Sequence, residues 1–177
     1  SGMYGKMDPD LRKQFPDGAP TYEEYANEVI KQFADYYKDK EKKPKLFTEP
    51  GTTLVSKYVD FLGKVIGIKN IRSNDFVLLN CSFHNLGETC QMKNLPIKRF
   101  EFGHNRTEIS KANFVGYTCL EQDVLYRGFT GDISIGDYIL FGNVGGYSLV
   151  DKPPFIMPDY PMISIKNGNI KLVKRSE

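Results

Sequence analysis

The sequence predicts an α+β chain in which a short helix-strand-helix stretch precedes an all-β half, and three observations carry that expectation. Thr21 and Glu24 form a capping box ahead of apolar residues at helical spacing. From about Leu62 the texture changes to short runs rich in β-branched and aromatic residues. Asn167-Gly168 then separates Ile163-Ser164-Ile165 from Ile170-Lys171-Leu172-Val173, the pattern of a two-residue hairpin turn.

Ser1 to Pro20 is rich in Gly, Pro, Asp and Lys and reads as a long loop, with Ser1-Gly2 resembling a tag-cleavage scar before Met3. Tyr22, Tyr25, Val29, Ile30, Phe33 and Tyr37 place an amphipathic helix over Thr21 to about Lys40. The charge run from Asp39 to Lys43 ends it as a solvated terminus before Pro44. Lys45 to Thr48 reads as a short strand, Glu49-Pro50-Gly51 breaks it, and Leu54, Val55, Tyr58 and Val59 mark a second helix. Strands follow around Val65 to Ile71, Phe76 to Cys81, Phe114 to Thr118, Val124 to Tyr126, Tyr138 to Phe141 and Tyr147 to Val150. Ser73-Asn74-Asp75 joins the first two of these as a hairpin. The expected division is therefore 1–61 and 62–177, the second part a barrel or sandwich of about seven or eight strands.

Composition bounds the function. The 177 residues are 40% hydrophobic, 26% charged and 13% aromatic, which excludes a disordered, collagenous or coiled-coil chain. With 24 Lys+Arg against 22 Asp+Glu, the net charge of +2 gives no electrostatic footprint for nucleic acid or an anionic membrane. No apolar run approaches the roughly 20 residues that span a bilayer, so a soluble protein is expected. The three cysteines Cys81, Cys90 and Cys119 are an odd number without framework spacing, which points to a reducing, cytoplasmic setting.

Catalytic candidates are few. The chain has only His84 and His104 as histidines and contains neither a phosphate-binding P-loop nor a nucleophile elbow. Cys81, His84 and Cys90 fit no zinc spacing and lack a fourth ligand, so no metal is expected. Asn105-Arg106-Thr107 matches a glycosylation acceptor, but without a secretory signal it carries no meaning. Glu49 ends the expected strand and is followed by Pro and Gly, which places a carboxylate above a β/α layer or, equally, makes it a turn cap. Cys119 lies in the strand-turn-strand segment Gly116 to Asp123 and reads either as core or as a presented thiol. Gly145-Gly146 would let backbone approach a ligand, with Tyr147 adding a hydroxyl.

Taken in order, Glu49-Pro50-Gly51, then Gly116-Tyr117-Thr118-Cys119 with Asp123, then Gly136-Asp137-Tyr138 and Asn143-Val144-Gly145-Gly146-Tyr147 resemble the carboxyl-terminal part of the fold-type III pyridoxal-phosphate-dependent decarboxylases, which include the ornithine, arginine and diaminopimelate enzymes. The resemblance covers nearly the whole chain. It implies that 1–61 holds the last β/α units of a TIM-type barrel and that 62–177 is the C-terminal β domain. By the same resemblance, Glu49 pairs with the pyridine nitrogen of pyridoxal 5'-phosphate, the Tyr147 hydroxyl binds its phosphate, and Gly51 and Thr52 are further cofactor-binding positions. A carboxylate at the ring nitrogen keeps it protonated, so that the ring accepts the electron pair released at Cα. Cys119 matches the cysteine that reaches across a homodimer interface into the partner's active site to deliver a proton, and Asp123 matches a further acid near that loop. His84 and Glu121 fall where the family contacts its amino-acid substrate.

The departures are specific. Thr52 stands where ornithine and diaminopimelate enzymes carry an arginine, so an ion pair to phosphate is replaced by one hydroxyl. Leu120 follows the cysteine where those enzymes carry an acid, with Glu121 one place later and, in a strand, on the other face. The Schiff-base lysine would lie upstream of Ser1, so the expectation is a fragment inactive alone, the full-length protein being an amino-acid decarboxylase with homodimeric shared sites. The rival reading is a non-catalytic regulatory paralogue on the same fold.

Overall fold

The capping box at Thr21 forms as its sequence dictates: Glu24 N–H donates to Thr21 Oγ1 at 3.2 Å and Thr21 N–H to Glu24 Oε2 at 2.7 Å. The computed structural model describes residues 7–15, 17–152 and 155–175, and Ser1-Gly2 lies outside them. From the box run α2 (Tyr22–Tyr25), a π-helical stretch (Ala26–Lys31) and α3 (Gln32–Tyr37), so the expected helix is present with a widened middle turn. Tyr22 Oη donates to Thr53 O at 2.9 Å, which docks this helix on α4 (Thr52–Val55) and the 3-10 turn Ser56–Tyr58. Ahead of them the expected loop holds a helical turn, α1 (Pro9–Arg12), whose Leu11 is fully buried. Gln14 then exchanges two 2.8 Å hydrogen bonds with the backbone of Asn94, fastening this segment to the β half.

The strand expected over Lys45 to Thr48 is not formed. The segment is coil and Phe47 is 82% exposed. A strand of a parallel barrel takes its hydrogen bonds from neighbours on both sides, and among the described residues none lies beside it. The TIM-type part of the expected fold is accordingly not displayed by this chain.

In the β half, β1 (Phe61–Ile71), β2 (Asn74–Leu79), β3 (Ile97–Phe100), β4 (Thr107–Val115), β5 (Val124–Ile133) and β6 (Tyr138–Phe141) form one mixed sheet in the order β3-β6-β1-β2-β4-β5. All pairs are antiparallel except β2 with β4. A bulge between Val65 and Gly67 lets β1 pair first with β6 and then with β2. Two short helices, α5 (Phe83–Leu86) and α6 (Thr89–Met92), follow β2. Neither a closed barrel nor a two-sheet sandwich results: the sheet curls until its edges meet through side chains. Arg99 of β3 reaches Asp132 of β5 at 3.0 Å, and Arg106 also pairs with Asp132. Val65, Val77, Leu79, Phe114, Leu125, Ile139 and Phe141 fill the enclosed face. The Asn167-Gly168 hairpin forms as expected, joining β7 (Met162–Lys166) to β8 (Asn169–Lys174), with both turn residues at positive φ. The strand expected over Tyr147 to Val150 is a series of turns instead.

Asp137 anchors the turn between β5 and β6. It is fully buried and accepts from Phe102 N–H, Gly103 N–H and Ser134 N–H, each at 3.0 Å, and from Arg106 Nη2 at 3.2 Å. Burial pushes its pKa up, but the three N–H groups and the guanidinium outweigh this and hold it below the ordinary value. A depressed folded-state pKa adds stability above the unfolded value, near pH 4, that disappears as pH falls through the folded one. Asp137→Asn is expected to cost about 1–3 kcal/mol at neutral pH and to flatten the loss of stability between about pH 5 and pH 2; urea unfolding across that range measures both.

Candidate functional site

The turn carrying Tyr147 is built by close packing. Gly145 N–H donates to Ser56 O at 3.0 Å and Val144 N–H to Val59 O at 2.9 Å, which lay the segment on the end of α4 and the turn after it. A Cβ on Gly145 would stand 2.2 Å from Val55 O, and one on Gly146 would stand 2.9 Å from Thr52 Cγ2 and 3.1 Å from Thr52 Oγ1. The two glycines are therefore required by the approach of α4, a different reason from the ligand contact that the sequence suggested. Thr52 is buried beneath Gly146. Tyr147 follows at φ +64°, a left-handed backbone that a bulky residue adopts only when its surroundings enforce it. Asp151 N–H donates to Tyr147 O at 3.0 Å, and Ser148 Oγ bonds Val144 O within the same turn.

Gly87, the C-cap of α5, abuts this turn: a Cβ there would stand 2.5 Å from Gly146 O. That approach brings His84 to Tyr147. Both line a cavity of about 200 Å³ together with Phe83, Gly87, Glu88, Gln91 and Asp151. The His84 ring packs on Phe83 with centroids 3.9 Å apart. Tyr147 is 44% exposed, and Glu88 and Asp151 give the lining an acidic side.

The other end of α5 leads to the cysteine loop. Asp123, 3% exposed, accepts from Phe83 N–H at 2.8 Å and from Thr118 N–H and Oγ1–H at 2.9 and 2.6 Å. Tyr117 N–H adds a 3.3 Å bond to Cys81 O. Cys119 is exposed and free, whereas Cys81 and Cys90 are buried. Burial, then the nearby Asp123, raises the Cys81 thiol pKa well above its ordinary value, and burial raises that of Cys90 to about 11. Of the three thiols, Cys119 alone is presented for chemistry.

The structure thus links Thr52, Tyr147, His84 and Cys119 through one run of contacts. Glu49 is exposed in the coil before Gly51, and Glu121 is exposed in the cysteine loop. The sequence left Asp123 without a role and did not single out Gly87. The signal for Gly87 was present, a glycine directly after the apolar Leu86 at a helix end. A group of the size and charge of pyridoxal phosphate needs donors for its phosphate. Tyr147, half-exposed, carries a neutral hydroxyl of the kind that could serve as such a donor, while Thr52 is engaged in packing.

No curated protein sequence matches the chain. Solved structures do. A diaminopimelate decarboxylase superposes with a TM-score of 0.73 at 21% identity, over 98% of this chain and 44% of its own. The diaminopimelate decarboxylase of M. jannaschii in co-complex with L-lysine gives 0.68 at 22%, over 93% and 38%. The lysine decarboxylase of Selenomonas ruminantium gives 0.55 at 26%, over 81% and 35%. The chain spans less than half the length of each. Residues 52–145, which run from α4 through the whole six-stranded sheet to the Tyr147 turn, match the family model described as pyridoxal-dependent decarboxylase, C-terminal sheet domain. The chain belongs to the fold-type III pyridoxal-phosphate-dependent decarboxylases, of which it carries the C-terminal portion.

Proposed function

We propose that the chain is the C-terminal part of a cytoplasmic, homodimeric pyridoxal-phosphate-dependent amino-acid decarboxylase, inactive alone because the cofactor-anchoring lysine lies upstream. The observation that carries this reading is the contact run from α4 through Gly146 and Tyr147 to His84 and, by way of Asp123, to Cys119. Its segments carry the residues that this reading assigns to cofactor binding, to substrate contact and, towards the partner subunit, to proton delivery, and their shared packing supports it.

Pyridoxal phosphate, when bound, supplies the electron sink for the pair left at Cα as the carboxylate departs. The residues of this chain do the rest. Tyr147 donates its hydroxyl to the phosphate, with Gly51 and Thr52 shaping the backbone beside it. Glu49 holds a proton on the pyridine nitrogen, which is what makes the ring electron-withdrawing. Cys119 delivers a proton to Cα in the partner's site, and its exposure suits that reach. His84 and Glu121 contact the substrate. The acidic side of the His84 cavity suits the cationic amino group of an amino acid.

Thr52 in place of a cation and Leu120 after the cysteine favour the rival, a regulator on the same fold. Cofactor binding separates the two. In the full-length protein, titration with pyridoxal phosphate is expected to give a saturable absorbance change, and Tyr147→Phe to weaken binding about tenfold, the worth of one hydrogen bond to a charged group. A protein that gives no absorbance change, or a Tyr147→Phe variant that binds unchanged, counts against the decarboxylase assignment and the phosphate role respectively.

A further inference from the structure

We propose that Asp123 is the positioning residue that holds Cys119 and His84 in register, one on each oxygen of a single buried carboxylate. The proposal rests on the decarboxylase reading for its catalytic meaning, though not for its geometry. Oδ1 accepts from the N–H of Phe83, the residue before His84, at 2.8 Å. Oδ2 accepts from Thr118, the residue before Cys119, through N–H at 2.9 Å and Oγ1–H at 2.6 Å. The main chain of Asp123 closes the same loop: its N–H donates to Leu120 O at 3.0 Å and its carbonyl accepts from Gly116 N–H at 2.9 Å.

Three features distinguish this from ordinary loop packing. Asp123 is 3% exposed, and among the described residues no cation pairs with it. Its charge is met wholly by donors from two segments 40 and 5 residues away, so those donors are fixed by the charge they satisfy. Second, the arrangement excludes the neutral isostere. An asparagine has one accepting and one donating end, so either Phe83 N–H or the Thr118 pair would face an N–H₂ group. Third, Gly116 is shaped to the carboxylate, since a Cβ there would stand 2.2 Å from Oδ2 and 2.3 Å from Oδ1. Each catalytic candidate thus sits one residue from a backbone N–H held by the same group. An error in one arm is passed to the other through a rigid, buried hinge.

The test uses the full-length protein and two readouts. Alkylation of the Cys119 peptide by iodoacetamide, followed by mass spectrometry, reports the thiol arm, with the buried Cys81 and Cys90 peptides as folding controls. Asp123→Asn is expected to change the Cys119 rate by about fivefold or more while Cys81 and Cys90 stay protected, and to lower kcat about tenfold or more with little change in KM. Thr118→Val, which keeps the charge and removes one donor, is the milder variant should Asp123→Asn fail to fold, and it is expected to move both the Cys119 rate and, through the shared carboxylate, the His84 imidazole resonances. Tyr160→Phe removes a comparable hydrogen bond to Asn80 O outside both arms and is expected to change neither readout. Cys119 reactivity unchanged in folded Asp123→Asn and in Thr118→Val, or changed equally by Tyr160→Phe, overturns the proposal. A changed alkylation rate with unchanged kcat supports the tie and counts instead against Cys119 as the proton donor.

Discussion

Glu49→Gln in the full-length enzyme is expected to lower kcat about 100-fold or more, roughly 3 kcal/mol of transition-state stabilisation, with KM moved less than about threefold. The amide keeps the size and polarity of the side chain but cannot hold a proton on the pyridine nitrogen, so the ring loses its pull on the electron pair at Cα. Because Glu49 is exposed in the coil ahead of Gly51 and takes no part in the buried core, folding should be nearly unaffected. Steady-state kinetics beside thermal unfolding checks both halves. Equal loss of kcat and of stability would make Glu49 structural, and unchanged turnover would remove it from the mechanism.

Gly145→Ala is expected to give the largest structural effect. A new Cβ would stand 2.2 Å from Val55 O, 2.8 Å from Val55 C and 3.0 Å from Ser56 Cα, all of them backbone atoms that no rotamer change can move aside. The cost should exceed the usual overpacking range, about 3 kcal/mol or more, because α4 and the Tyr147 turn have to separate. Separation also breaks the 3.0 Å bond from Gly145 N–H to Ser56 O and releases the strained Tyr147 backbone, so cofactor affinity should fall with stability. Gly67→Ala is the control, since its Cβ would meet Leu78 at 3.6 Å, ordinary contact, and should cost under about 1 kcal/mol. Urea midpoints of the two variants give the comparison.

The elements whose signals are local were legible. The Thr21 and Glu24 pair named its helix, Asn167-Gly168 named its hairpin, and the run Tyr138 to Phe141 matches β6 residue for residue. Elements that depend on partners distant in sequence were not. β3 is a strand because β6 pairs with it, although Lys98 and Arg99 break its apolar pattern. Tyr147 to Val150 has strand-like composition, yet the contact between Gly145 and α4 bends it into turns. α5 is too short for periodicity, and its cap pairs Ser82 with Asn85 in place of an acid.

The candidate site divides along the same line. The residue types and their order made Cys119 and Tyr147 candidates, and burial of Cys81 and Cys90 leaves Cys119 as the one exposed thiol. What joins them was hidden, because Asp123 binds Phe83 across 40 positions and Gly87 meets Gly146 across the fold.

The central claim is that this chain completes a decarboxylase site around pyridoxal phosphate. Release of labelled CO₂ from carboxyl-labelled L-amino acids by the full-length protein with added pyridoxal phosphate tests it most directly. The account predicts release from at least one amino acid, abolished to within a few per cent, roughly the 100-fold loss above, by Glu49→Gln. Cofactor binding without CO₂ from any amino acid, or release that survives Glu49→Gln intact, would contradict it.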